Sequence, residues 1–225
     1  SGWYFQQFLK MAYAYKCPHK YYLIWDADTI LLNKIAFWDN DRKPLFAMKT
    51  EFHIPYFKTI DKLFCKEVTK LTDKSFIAEH MLINKDCMLD MLAKIENNKM
   101  LKGEAFYEKI MHAIDKNDIQ ASGFSEFETY GNYILKYYPH LYGTRTLRTF
   151  RDGAKLINKK DINDGVLKWI SSEYDTVSFE KHSYHKTSKK FKSIFRFIVR
   201  YRIISFSAYR YCYKIFHKIF KRVIK

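Results

Sequence analysis

Tyr21-Tyr22-Leu23-Ile24-Trp25-Asp26-Ala27-Asp28-Thr29 is the stretch on which the reading of the chain turns. Five aromatic and aliphatic residues without a polar interruption have the pattern of a buried parallel strand. The run passes straight into two carboxylates one residue apart. Open α/β sheets place their ligand sites at the C-terminal ends of such strands. If the strand continued, alternation would turn Asp26 and Asp28 to one side, where both could approach a hard cation together with phosphate oxygens. Like charges held so close need a cation or a shared proton; the plainer arrangement is a turn in which one Asp caps and the other is solvated.

Periodicity on either side of this stretch predicts strands alternating with helices. Helices are expected over Trp3–Tyr15, Pro55–Leu71, Lys85 to about Asn97, Glu104–Lys116, Phe127–Tyr137 and Asn163–Ser172. Ser125 with Glu128 three residues on has capping-box spacing. Strands are expected at Leu45–Met48, Phe76–Asn84, Thr146–Phe150 and Thr176–Phe179. Together they predict an α/β fold with a mixed sheet flanked by helices.

A chain of 225 residues, 48% hydrophobic, can bury a sizeable core, which excludes intrinsic disorder. The net charge of +16 is not evenly spread. Lys186–Lys225 holds 13 Lys and Arg and no acidic residue, so the rest carries 27 basic against 24 acidic side chains, or +3. The expected organisation is therefore a body over 1–185 and a basic amphipathic helical tail over 186–225, with the border near Ser183–Lys189. Cys17, Cys65, Cys87 and Cys212 match no CxxC or zinc-ligand spacing and are expected to be the reduced thiols of a cytoplasmic protein. No signal-peptide pattern opens the chain, and no uncharged apolar run reaches the ~18 residues of a membrane span.

Four blocks carry a resemblance: Gly2-Trp3-Tyr4-Phe5-Gln6-Gln7-Phe8-Leu9-Lys10, Trp25-Asp26-Ala27-Asp28-Thr29, Phe76-Ile77-Ala78-Glu79-His80-Met81, and Ser125 to Tyr133. In this order the chain resembles a poorly characterised group of bacterial glycosyltransferase-like proteins with a DxD motif and a GT-A type fold. The resemblance implies transfer of a sugar from a nucleotide-sugar donor, with Asp26 and Asp28 holding a divalent metal, Mn²⁺ or Mg²⁺, against the diphosphate. It further implies a late metal ligand after the last strand, for which His182 is chosen over His185. Such enzymes place nucleotide-binding strands ahead of the DxD. With 25 residues preceding it here, either the chain is an N-terminally truncated piece or its donor site is built unusually.

Within this frame Glu126 is the expected catalytic base for an acceptor hydroxyl. Trp3, Tyr4, Gln7 and Ala27 are expected on the donor side. Glu79, His80 and Glu128 are expected to contact the acceptor, because a charged pair embedded between Phe76-Ile77-Ala78 and Met81-Leu82-Ile83 needs hydrogen-bonding partners that sugar hydroxyls could provide. Helix packing, a satisfied buried histidine and a capping role for Glu128 are the plainer accounts of the same residues.

The tail places Phe216, Ile219, Phe220 and Val223 on one helical face among lysines and arginines, which suits an anionic bilayer surface better than nucleic acid. The expected setting is the inner face of the cell membrane, with a surface-glycan or lipid-linked glycan acceptor. Deleting residues 190–225 is expected to leave the body folded. Two alternatives compete. A haloacid-dehalogenase-like phosphatase would use Asp26-Ala27-Asp28-Thr29 as its nucleophile motif, but its later GDxxxD-like block is absent. A non-enzymatic basic module that binds membrane or nucleic acid would use the tail alone.

Overall fold

A computed structural model describes residues 2–180 and 189–223, with the backbone alone for 189–193 and 219–223. Helix α1 (Gly2–Ala12) and a 3-10 turn (Tyr13–Tyr15) precede strands β1 (Tyr21–Trp25), β2 (Thr29–Leu31) and β3 (Leu45–Ala47). Helix α2 (Ile54–Leu63), strand β4 (His80–Asn84) and helices α3 (Lys85–Glu96), α4 (Phe106–Ala113) and α5 (Glu126–Tyr137) follow. Strands β5 (Gly143–Arg145) and β6 (Thr149–Phe150), helices α6 (Gly153–Leu156) and α7 (Asp164–Ser171), strand β7 (Thr176–Ser178) and helices α8 (Lys189–Tyr201) and α9 (Phe206–Val223) complete the order. The chain is mixed α/β. Its described strands lie in three small sheets rather than one.

The chain divides into two compact units, Ser1–Trp25 with Ala36–Thr146, and Asp26–Ile35 with Leu147–Lys225. This division differs from the expected one at 185/186, which falls on residues 181–188, outside the described residues.

In the first unit β1 pairs with β4 from Tyr21↔Asn84 to Trp25↔His80, and the pairing is antiparallel, not parallel as its composition suggested. The reason is visible in the burial. Strand β4 is buried at every position, whereas β1 buries Tyr22 and Ile24 and leaves Leu23 43% exposed. Aromatic residues on a half-exposed face thus imitate a doubly covered strand. Asn84 ends β4 and caps α3, its side chain accepting from the Asp86 and Cys87 N–H groups at 3.0 and 3.2 Å. Helix α2 stops eight residues before the expected Leu71 because Cys65 and Lys66 adopt left-handed φ of 50° and 65°, which breaks the helical ladder. Strand β3 runs parallel to β5, and Phe46 stacks on Tyr142 with centroids 4.0 Å apart.

In the second unit β7 is central, antiparallel to β2 and parallel to β6. Phe150, Ile157, Val166, Ile170 and Val177 form its core together with Val199, Phe206 and Tyr209 from α8 and α9. Trp169 Nε1 donates to the Ile204 carbonyl at 2.9 Å, Tyr209 hydroxyl to the Leu156 carbonyl at 2.6 Å, and Arg196 makes two contacts with Asp161. The expected appendage is thus part of a core. Of its anticipated apolar face, Phe216 is 44% exposed, while the side chains of Ile219, Phe220 and Val223 lie outside the described ones.

Removing residues 190–225 is therefore expected to unfold the second unit, against the expectation from charge and pattern. Phe206 is fully buried, and truncation of such a ring costs about 3–5 kcal/mol. Phe206→Ala should lower the urea midpoint of the transition reported by Trp169, whose ring lies 5.1 Å from that of Phe206. An unchanged midpoint would show that the tail is dispensable to this core.

Candidate functional site

Strand β1 ends at Trp25, and Asp26 to Thr29 form a turn closed by the Thr29 N–H donating to the Asp26 carbonyl at 3.0 Å. The alternation argument therefore does not apply, because the two carboxylates stand on a turn instead of one face of a strand. Asp26 is half-buried, and Ala27 and Asp28 are exposed. The turn is fixed to β7. The Phe179 N–H donates to the Asp28 carbonyl at 2.8 Å, and the Thr29 and Ser178 hydroxyls are hydrogen-bonded at 2.7 Å.

Among the described residues no group of three or more His, Cys, Asp and Glu could hold a metal ion. His182 and His185 lie outside the described residues. The two carboxylates nevertheless suit a hard cation, since Mg²⁺-type sites commonly take one or two carboxylates and complete their shell with substrate phosphates.

The pair Glu79-His80 sits at the start of β4 in the first unit, 4% and 1% exposed. Both find protein partners. Lys49 Nζ lies 3.1 Å from Glu79 Oε2, and Arg145 Nη2 lies 2.9 Å from His80 Nε2. The imidazole stacks on Trp25 at 4.8 Å and meets Phe37 edge to face at 5.7 Å. Burial first, then the Arg145 and Lys49 charges, push the His80 pKa down to about 4, so the ring is neutral at pH 7. Among the described residues His80 Nδ1 and Arg145 Nε have no hydrogen-bond partner.

Glu126 is 3% exposed and paired with Lys10 at 2.9 Å. A carboxylate enclosed with an ammonium is stabilised as the anion and is not presented to a cleft, so the structure gives Glu126 a framework position in place of the expected base. Gln7 lies against the same residue, its side-chain amide oxygen accepting from the Glu126 N–H at 3.3 Å. The Tyr4 hydroxyl donates to the Ile119 carbonyl and accepts from the Gly123 N–H, both at 2.9 Å. Tyr4 and Gln7 thus hold the 119–126 segment, and half-buried Trp3 packs edge to face on Tyr4 at 5.0 Å. Tyr4 and Gln7 are committed to this packing and are not presented to a donor.

Glu128 is fully buried and accepts from the Ser75 hydroxyl and the Phe76 N–H at 2.9 Å and from Asn132 at 3.2 Å. Burial raises its pKa, and these three donors oppose the shift. Ser125 caps α5 by accepting from the Glu128 N–H at 3.3 Å, but the Glu128 side chain turns inward and completes no reciprocal box. With no exposed surface, Glu128 has nothing to offer an acceptor.

The structure gathers Asp26, Ala27 and Asp28 onto one turn where a continuing strand face was expected, and it sets Gln7 against Glu126, a contact the sequence reading did not anticipate. Sequence reasoning missed Lys10, Lys49 and Arg145, the cations that answer the buried acids and the histidine. Their one signal was the embedded Glu79-His80 pair itself, which demands partners without saying where in the chain they lie.

The model of a family of unknown function, DUF6492, matches residues 1–193, and the chain belongs to that family. A search of curated proteins finds no match to the chain.

Two outcomes follow from the buried charges. Because the folded His80 pKa lies below its ordinary 6.5, the unfolded chain takes up a proton first as pH falls. Stability from this group is then full above about pH 6.5 and declines toward about pH 4, by up to about 1.4 kcal/mol per pH unit. His80→Gln should flatten that part of the stability profile; a profile of unchanged slope would remove His80 as its source. Breaking the Lys10–Glu126 pair by Glu126→Ala should cost about 3–5 kcal/mol, with much of the loss recovered in Lys10→Met/Glu126→Met. A single variant as stable as the parent would contradict the framework reading of Glu126.

Proposed function

We propose that this DUF6492 member is a metal-dependent glycosyltransferase of GT-A type that uses a nucleotide-sugar donor. The observation that carries the reading is the 2.8 Å hydrogen bond from the Phe179 N–H to the Asp28 carbonyl. It sets a turn with two carboxylates, Asp26 half-buried and Asp28 exposed, beside β7, and in the sequence His182 follows the end of that strand by four residues. Asp26 and Asp28, with His182, would hold Mn²⁺ or Mg²⁺, and Ala27 would pass its backbone beside the donor. The cation, when bound, neutralises charge developing on the departing diphosphate.

On the acceptor side, the cluster of Glu79, His80, Arg145 and Trp25 supports sugar binding: Trp25 offers an aromatic surface, and His80 Nδ1 and Arg145 Nε are buried polar atoms with no partner among the described residues. A membrane-surface setting, with a lipid-linked or surface-glycan acceptor, is supported by Ile194, Phe197, Tyr201 and Ile203 of the α8 region and Tyr211 and Ile215 of α9. They are 40–68% exposed among basic residues. No helix among the described residues is long and apolar enough to cross a membrane.

Calorimetry separates this reading from its rivals without requiring turnover. Mn²⁺ alone should bind weakly and should bind about tenfold or more tightly with a nucleoside diphosphate present, whose oxygens complete the shell. Asp26→Ala/Asp28→Ala should abolish that gain. If the double variant binds metal and nucleotide like the parent, the metal assignment is wrong, and the glycosyltransferase reading goes with it.

A further inference from the structure

We propose that the second unit binds a phosphate group carried on an apolar stem, in the cleft between α9 and the β6–α6 segment. The cleft has a volume of about 360 Å³ and is lined by Phe150, Leu156, Arg210, Tyr213, Lys214 and Lys218, among others. That volume lies within the range of small-molecule sites.

Its wall follows from helical spacing. Arg210, Lys214 and Lys218 recur every four residues along α9 and Tyr213 lies between them, so three cations and one ring share a face. Asp152, the carboxylate on the wall, is already taken by Lys155 at 2.6 Å. No described carboxylate pairs with Arg210, Lys214 or Lys218, and the sequence after Glu180 contains no acidic side chain that could.

Arg210 is the most firmly positioned of the three. Its guanidinium packs over the Phe150 and Tyr174 rings at 4.7 and 5.2 Å, and its buried Nε has no hydrogen-bond partner among the described residues. Ring packing fixes the fork while leaving a donor unused. A buried donor without an acceptor is costly, and a phosphate, with several acceptor oxygens and up to two negative charges, answers both the donor and the clustered cations. Phe150, Leu156 and the Tyr213 ring offer a bare phosphate nothing, whereas an aliphatic stem beside the phosphate would cover them.

The inference is independent of the Asp26–Asp28 reading, and its test contains chelator and no nucleotide. The probes for calorimetry on the whole chain are dihexanoyl phosphatidic acid below its micellar concentration, dihexanoyl phosphatidylcholine and inorganic phosphate. The phosphatidic acid should bind at least about tenfold more tightly than either control. Arg210→Gln and Lys214→Glu should each weaken it by about tenfold or more. Lys168→Glu, an equal charge change on α7 away from the cleft, should leave it unchanged. Lys214 is exposed and adds nothing to the core, so Lys214→Glu gives a reading even if Arg210→Gln disturbs packing.

Equal weakening by Lys168→Glu and Lys214→Glu would reduce the effect to diffuse surface charge and overturn the site. Equal binding of inorganic phosphate or of phosphatidylcholine would overturn the combined phosphate-and-stem assignment. Sedimentation with phosphatidylcholine vesicles containing phosphatidic acid identifies the source. Vesicle binding lost in Lys214→Glu marks a lipid headgroup, and binding of the dispersed lipid without vesicle binding marks a free phosphorylated amphiphile.

Discussion

Burial of polar side chains along one helix governs the first unit. From Glu126 through Ile134 every residue of α5 is buried, and an enclosed carboxylate, amide or phenol without a partner is costly. Each such group therefore draws another segment to it. Glu126 takes Lys10 of α1, Glu128 takes Ser75 and Phe76, and Asn132 accepts from the Leu71 N–H at 3.1 Å. The Tyr130 hydroxyl meets Asn84 and the Tyr142 hydroxyl at the end of β4, both at 3.0 Å, and Tyr133 donates to Asp90 of α3 at 2.6 Å. Five side chains of one helix thus fix α1, the approach to β4, the end of β4 and α3. Even Gly131 belongs to the pattern, since a Cβ there would overlap the Phe76 ring.

The same constraint explains why the sequence blocks looked functional. Polar residues set among apolar ones suggest a site, yet Tyr4, Gln7, Glu126 and Glu128 are all buried with protein partners. They read as the fastening of the fold. Of the four blocks, only the one with the Asp26–Asp28 turn keeps a carboxylate at the surface, because a turn, unlike a strand or a covered helix, can present side chains without burying their neighbours. Composition cannot separate a buried carboxylate awaiting lysine from one awaiting metal. The distinction lies in Lys10, 116 residues from Glu126 in the chain, and no local pattern contains that fact.

Local signals were legible where they end an element. Ser125 caps the helix that the periodicity predicted, as its spacing suggested, while Asn84 and Asn163, which the sequence reading placed inside elements, prove to be the caps of theirs. Pairing partners were not legible. The Tyr21–Trp25 run fits either direction of pairing, and its true neighbour β4 lies more than fifty residues away. The tail misled for a related reason: charge counting separates residues by composition, whereas Val199, Phe206 and Tyr209 join the core through apolar positions that thirteen cations conceal in the average.

That double duty of α8 and α9 has a physical consequence for any surface role. Apolar side chains on these helices are divided between the core, where Phe206 and Tyr209 are buried, and solvent, where Tyr211 and Ile215 are 68% and 40% exposed. Residues 209 and 211 lie about 200° apart around a helix, so α9 holds its inward face fixed while presenting the other. Its cations then take up defined positions, in contrast to those of a disordered basic segment, which would adapt to whatever anion arrived. Fixed cations bind few geometries well, because the ordering entropy is met in folding and not at each encounter. The helix that completes the core of the second unit is for that reason also the element on which selective anion recognition can be built.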